Sequence, residues 1–407
     1  STAHKIIKSS LWIYLGQWFN RLIGLISTLI LAKILTPDDF GIVASAMIVT
    51  TLFTVLTTEG ANYYLLRLKH ISNNELNTAW TIGIILRVFA SIGIYFSASY
   101  AANFLNDDRL TAILQVFALS PLISSFTNIG MISFEKKMNY LPQFKLTTIA
   151  QLLAFLSKIS LAFVYQSYWA FVVAELILIT TIVIGSYIIS PYRPKLSLHN
   201  WKAQWGFSQW VLAKGFFAML RYRLDNLFIA KLFSARSVGL YSVTRDLATM
   251  PAGQIIEPIL RPLYVSLANN LNDPTLFADK VQKAIFATAI ITLPIGFGIS
   301  ATGEWLVNIL LGPKWHDAIA IIEILALITI PGTLIALFSQ ILTVLGKVKA
   351  SLLIDIALGL FTVGIFISLG ASSTLPEFAS LRLIIGIISF FVTLFYLTKI
   401  SKISFKK

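Results

Sequence analysis

The chain has 407 residues, 57% of them hydrophobic and 12% charged, with a mean hydropathy of +0.79 and a formal net charge of +14. It carries about half the charge of an average soluble domain, so water is not its main solvent and little sequence is left for a soluble catalytic domain. Cysteine is absent, which excludes disulfides and thiolate metal sites, and His4, His70, His199 and His316 stand far apart at segment ends, so no metal centre is expected.

Clusters of Pro, Asn, Asp, Gly and Lys divide the chain into twelve predicted helices, over about 9–35, 38–66, 76–104, 109–133, 141–165, 167–190, 206–233, 237–268, 277–311, 317–345, 349–370 and 377–400. Each is long enough to cross a hydrocarbon core of roughly 30 Å. The first apolar segment is too long for a signal-peptide core and is read as retained. Helix 1 carries Arg21 about halfway along. In the connection that follows, Thr36 and Pro37 precede Asp38 and Asp39, a helix-start signal aided by the helix dipole. Glu59, Arg87, Lys158 and Glu175 fall within helices 2, 3, 5 and 6, and Pro121 within helix 4. Pro191 to Gln204, with Tyr192, Arg193, Lys195, Trp201 and Lys202, is expected to form an interfacial strap. It would join an N-terminal six-helix bundle (1–190) to a C-terminal one (205–407).

In helix 7, Lys214, Arg221 and Asp225 stand at i, i+7 and i+11 and share a face, with Arg223 opposite. Helix 8 carries Arg245, Asp246, Glu257 and Arg261, with Pro251, Pro258 and Pro262 loosening its backbone bonds. Helix 10 contains Glu323 and Pro331, helix 11 Asp355, and helix 12 Arg382 near an end, where it can snorkel.

Eighteen basic residues fall in the termini and the connections on their side, against five (Lys33, Arg109, Lys231, Arg236, Lys314) on the other. Under the positive-inside rule both termini and the strap are expected to be cytoplasmic. The basic balance thus reports topology, and nucleic acid binding is not needed to explain it. An internal repeat is also visible. Leu31–Ile42 resembles Ile229–Leu240 at an offset of 198, Leu114–Leu119 resembles Ile322–Leu327 at an offset of 208, and Pro121 and Pro331 lie at nearly matching depths. Six helices per half predicts parallel repeats about a central cavity, an architecture suited to alternating access.

Nine basic residues and seven carboxylates remain within spans. Each costs at least about 2.5–3.5 kcal/mol at mid-bilayer, so they should face a wet cavity or one another. Arg21, Arg87, Lys158, Lys214, Arg221, Arg223, Arg245 and Arg261 are the expected substrate-binding set, since guanidinium and ammonium donors suit phosphate oxygens. Arg21 and Arg221 are expected to act from opposite halves. Glu59, Asp225, Asp246 and Glu257 are candidates for ion coupling or pairing, and Arg221–Asp225 and Glu257–Arg261 can equally be internal ion pairs. Pro121 and Pro331 are expected bending points. Catalytic readings are weaker. Asp38 and Asp39 could suggest a membrane polymerase or glycosyltransferase, but Ala235 and Arg236 replace them in the repeat. Ser133 to Lys136 has S-x-x-K spacing, and no G-x-x-x-x-G-K phosphate loop is present. No enzyme is expected.

Several stretches carry a family resemblance over nearly the whole chain: Leu31 to Gly41, Phe134 to Tyr140, Ser167 to Ala170, and Asp225 to Tyr241. In these the chain resembles the polysaccharide transporters (Wzx-type flippases) of the multidrug, oligosaccharidyl-lipid and polysaccharide exporter superfamily. The resemblance implies an all-α polytopic protein of the bacterial inner membrane, with twelve transmembrane helices in two bundles around a cationic cavity. It further implies translocation of undecaprenyl-pyrophosphate-linked oligosaccharide from the cytoplasmic to the outer leaflet, alongside polymerase and chain-length proteins. No cofactor is implied beyond a coupling H+ or Na+. Where the family usually has an arginine three residues before Asp225, this chain has Tyr222, flanked by Arg221 and Arg223. A drug or cation exporter of the same superfamily is the nearest alternative, and the excess of basic groups in the spans speaks against a cationic cargo.

Overall fold

The structure is a computed structural model that describes residues 2–57, 60–68, 70–268, 273–369 and 373–401. No strand occurs among them. The α-helices are α1 (Thr2–Ile34), α2 (Pro37–Thr54), α3 (Gly60–Arg67), α4 (Asn73–Leu105), α5 (Arg109–Phe117), α6 (Leu119–Ser124), α7 (Ile132–Lys136), α8 (Leu141–Tyr165), α9 (Trp169–Ile189), α10 (Trp201–Leu232), α11 (Ala235–Ala268), α12 (Pro274–Ala301), α13 (Gly303–Leu306), α14 (Ile319–Val344), α15 (Val348–Leu369) and α16 (Leu375–Ser401). Among the described residues nine helices are long and apolar enough to cross a membrane, or ten when the pair Arg109–Ser124 and Ile129–Lys136, bent by 58°, is taken as one span. These coincide with ten of the twelve predicted helices. The predicted seventh and eighth are helical as α10 and α11 but lie outside that count, and both carry several charged residues.

Large apolar side chains face outward, as in Phe89 and Phe96 (both 70% exposed), Tyr100 (79%) and Ile188 (79%). An exterior of this kind is a lipid-facing one.

Three predicted helices are interrupted. The second ends at Thr54, continues as a 3-10 turn over Val55–Thr57, and is followed by the separate α3. The fourth breaks at Ala118, three residues before Pro121, whose ring cannot donate the next helical bond. Ser91 on α4 donates its hydroxyl to the Ala118 carbonyl at this break, at 2.6 Å. The ninth ends at Ala301 and passes through α13 into a π-helical turn at Val307–Leu311. Pro331, by contrast, is buried within the uninterrupted α14.

Helix starts follow sequence signals. Thr36 and Ser72 open α2 and α4 with reciprocal capping boxes to Asp39 and Glu75. Asp39 therefore carries the cap expected of the acidic pair, while Asp38 turns to Arg109, whose Nη1 lies 2.5 Å from Asp38 Oδ2 and whose Nη2 lies 2.7 Å from Asp107 Oδ2. Both acids of the catalytic alternative thus have structural partners. Lys136 of the S-x-x-K stretch donates to the Leu68 carbonyl.

The chain folds as two compact units, Ser1–Lys231 and Leu232–Lys407. In the first, α2 packs on α4 and α5, α4 on α5 and α6, both α5 and α6 on α9, and α8 on α9 and α1. In the second, α11 packs on α12 and α14, α12 on α14, and α14 on α15 and α16. The strap is shorter than expected, because α10 already begins at Trp201 after Asn200 turns the backbone into the left-handed region (φ 59°). It is tied to the first unit: Asn77 accepts from the Tyr192 hydroxyl and from Lys195 N (2.8 Å), Ser197 N donates to Thr81 Oγ1 (2.9 Å), and Thr78 donates to the His199 carbonyl (2.6 Å).

Candidate functional site

The first unit encloses a polar track. Its largest part is a cavity of about 470 Å3 between α2, α4, α6, α8 and α9. Thr50, Thr54 and Thr57 line it at helical spacing from α2 and its terminal turn. Thr50 and Thr57 donate their hydroxyls back to the Met47 and Thr54 carbonyls, at 3.1 and 2.7 Å, which leaves their oxygens as acceptors. Pro121 and Ser120 line the cavity from α6, and the buried Ser120 hydroxyl has no partner among the described residues. Met47, Phe117, Phe171 and Ile179 supply the apolar wall.

Three charged groups enter this cavity. Arg87 comes from the middle of α4, where Gly83 one turn earlier leaves room for it: a Cβ at that glycine would lie 3.2 Å from an Arg87 terminal nitrogen. Lys158 on α8 places its ammonium 5.3 Å from the centre of the Phe171 ring, a cation–π contact. Glu175 lies on α9, one turn beyond Phe171. Lys158 and Glu175 share a depth because α8 and α9 form a tight antiparallel hairpin turning at Gln166 (φ 46°), and the two residues stand at nearly equal distances from that turn. No ion pair within 4.0 Å joins them, and Arg87 has no hydrogen-bond or ion-pair partner among the described residues. Among the described residues two cations therefore face one carboxylate in a space walled by membrane helices, an arrangement that attracts an anion.

Two smaller cavities extend the track. One of about 220 Å3 lies at the strap end of the unit and shares Arg87 and Thr57 with the large cavity. The other, of about 60 Å3, shares Lys158 and Glu175 and is completed by Ser27 and Gln151.

Of the residues singled out in the sequence, the structure thus brings Arg87, Lys158 and Pro121 together. Arg21 on α1 is exposed and lines none of these cavities. Asp225 on α10 is buried, at 8% exposure; Arg245 on α11 is half-buried and Asp246 beside it exposed. The side chains of Glu59, Lys214, Arg221, Arg223, Glu257 and Arg261 lie outside the described residues. Glu175 was legible only as one in-span carboxylate among seven. Its hairpin register against Lys158 is the signal that distinguishes it, together with the threonines of α2 at i, i+4 and i+7. No group of three or more metal-ligating side chains occurs among the described residues.

A model of the family described as polysaccharide biosynthesis protein matches residues 30–320. The chain belongs to this family. The lipopolysaccharide biosynthesis protein WzxC of Escherichia coli (strain K12) is 22% identical to it over 81% of the present chain and 68% of its own length. The teichuronic acid biosynthesis protein TuaB of Bacillus subtilis (strain 168) is 19% identical over 99% of the chain and 84% of its own. Among solved structures, lipid II flippase MurJ in an inward closed conformation matches with a TM-score of 0.76 at 14% identity, covering 95% of this chain and 87% of that one. An inward-facing multidrug transporter of the MATE family matches with a TM-score of 0.67, again at 14% identity, covering 95% and 96%. The protein thus has the fold of the MOP-superfamily structures and is a multi-pass membrane protein of the polysaccharide biosynthesis family.

Proposed function

We propose that the protein is a flippase that moves undecaprenyl-pyrophosphate-linked oligosaccharide units from the cytoplasmic to the outer leaflet of the bacterial inner membrane by alternating access. The observation that carries this reading is the cavity in which Arg87 and Lys158 have no bonded anion among the described residues, inside a membrane protein of the polysaccharide biosynthesis family. An unbonded guanidinium among membrane helices is costly unless a ligand or water completes it. Pyrophosphate supplies the missing acceptors, and the apolar wall of Met47, Phe117 and Phe171 tolerates the first carbons of a lipid. The names of the relatives and of the lipid II flippase point to the same cargo class.

Two parallel six-helix repeats, expected over 1–190 and 205–407 and joined by a strap that ends where α10 begins at Trp201, remain our reading of the architecture. It is supported by a pair of contacts that follow the sequence offsets. Asp38 plus 198 is Arg236, and Arg109 plus 208 is Asp317; Arg109 binds Asp38 in the first unit and Arg236 binds Asp317 at 2.9 Å in the second. The same two helix starts meet in each unit, with the signs of charge exchanged. The basic asymmetry supports cytoplasmic termini and a cytoplasmic strap, and we keep Arg21 and Arg221 as further phosphate ligands from the two halves and H+ or Na+ as the coupling ion. The likeness to multidrug transporters keeps a drug exporter as a second reading, but two cations against one carboxylate disfavour a cationic cargo.

The test is reconstitution. Proteoliposomes of the protein should flip a fluorescent polyprenyl-pyrophosphate sugar and should not move a cationic dye; dye movement without lipid flipping would establish the exporter. Labelling of Asn200→Cys by an impermeant thiol reagent from outside intact cells would reverse the proposed orientation.

A further inference from the structure

We propose that the cavity of about 220 Å3 at the strap end of the first unit is a glycosyl-binding pocket, which receives the sugar next to the pyrophosphate when cargo is loaded. The inference rests on the flippase reading and adds a place and a chemistry for sugar selection.

The wall of this cavity differs in kind from that of its larger neighbour. It is built at helix ends, by the first turns of α4 (Trp80), the 127–132 connection (Asn128), α3 (Asn62), the start of α8 (Gln143), the end of α9 and the start of α10 (Ser208). Amides both donate and accept, which suits sugar hydroxyls that do the same. Glu135 in the wall opposes a second phosphate in this space. The indole of Trp80 is held by its own hydrogen bond, Nε1 to the Thr127 carbonyl at 3.1 Å, so it offers a fixed apolar surface of the kind that packs on sugar C–H groups.

Bonding capacity is left over. Ser208 is 2% exposed, and its Oγ has no hydrogen-bond partner among the described residues. The Asn62 amide has none among the described residues either. A buried hydroxyl without a partner marks a place that a ligand or water completes. Asn128, by contrast, spends its amide on the Tyr192 carbonyl (2.7 Å) and Gly130 N (2.8 Å), and so shapes the pocket rather than reading its contents. Arg87 lines this pocket and the large cavity alike. A pyrophosphate held there would sit at their junction, with its lipid on the large side and its sugar on the small side. The bond order of the cargo, lipid to pyrophosphate to sugar, follows the order of the cavities.

The test uses the full chain in nanodiscs and two kinds of probe: farnesyl pyrophosphate, and farnesyl pyrophosphates bearing one glucose, galactose or N-acetylglucosamine. At least one glycosylated probe should bind about tenfold tighter than the bare one, a gain of about 1.4 kcal/mol. Ser208→Ala and Asn62→Leu should each reduce that advantage to threefold or less while bare-probe affinity stays within about twofold. Ser208→Ala is the decisive variant because its hydroxyl makes no internal bond, so a purely structural role predicts no change, and thermal unfolding checks folding. The proposal is overturned if no glycosylated probe exceeds the bare one by threefold, or if the variants weaken both probes equally. Failure of farnesyl pyrophosphate to bind the wild-type protein would instead remove the flippase reading, and this proposal with it.

Discussion

The two units pack their helices in a similar order but fill them differently. In the first, the space between α2, α4, α6, α8 and α9 holds Arg87, Lys158, Glu175 and a row of threonines around a cavity. In the second, α11, α12, α14, α15 and α16 close on an apolar cluster that includes Leu267, Val281, Leu337, Phe338, Ile341, Ile354 and Leu397, with Phe338 and Phe390 rings 5.6 Å apart. The difference shows two ways of filling the space between membrane helices. Apolar side chains can fill the space between helices to crystal-like density, whereas a charge needs room for water or a ligand to complete it. Among the described residues the first unit thus holds a charged cavity and the second an apolar cluster.

The sharpest way to break this comparison is Arg87→Leu. Flipping in proteoliposomes should fall at least about tenfold, the loss expected of a charge-assisted bond to phosphate, while the thermal midpoint holds or rises, because no bonded carboxylate is stranded. A large loss of stability with normal flipping in the surviving protein would make Arg87 a packing residue. The counterpart in the second unit is Phe338→Ala, which should cost about 3–5 kcal/mol through the cavity it leaves, with flipping by the folded fraction changed little.

Lys158→Met probes the intermediate case, a charge facing another without a bonded pair. Losing the ammonium that faces Glu175 should destabilise the fold by about 2 kcal/mol, below the 3–5 kcal/mol of a fully bonded buried pair. Adding Glu175→Gln should restore stability but not flipping, and recovery of both would assign the two residues to structure alone. The smallest effect is expected at the outer ion pairs. Arg236 and Asp317 have half-exposed to exposed side chains, at 49% and 62%, so Arg236→Ala should cost less than about 1 kcal/mol. Arg109→Ala should cost somewhat more, since Asp38 and Asp107 both converge on it. Equal and negligible shifts in both would remove the pairs as matched fastenings of two repeats.

Much of this molecule was legible in its sequence. Runs of apolar residues set ten of the predicted spans, because a helix that must satisfy its backbone bonds in lipid declares itself by length and hydropathy. The starts at Thr36 and Ser72 were equally local, since a capping box involves residues only three apart. The presence of costly charges inside spans was also plain, as was the family. What the sequence could not decide was which charges meet. Arg87 and Lys158 are 71 positions apart on helices whose rotation depends on small residues and packing angles, and Asp38 finds Arg109 across a similar distance. The breaks after Thr54 and at Ala118 were likewise invisible in hydropathy, because an interrupted span is as apolar as a continuous one. Charge inside the membrane was written in the order of residues; the cavity those charges share exists only once the helices have turned their faces toward one another.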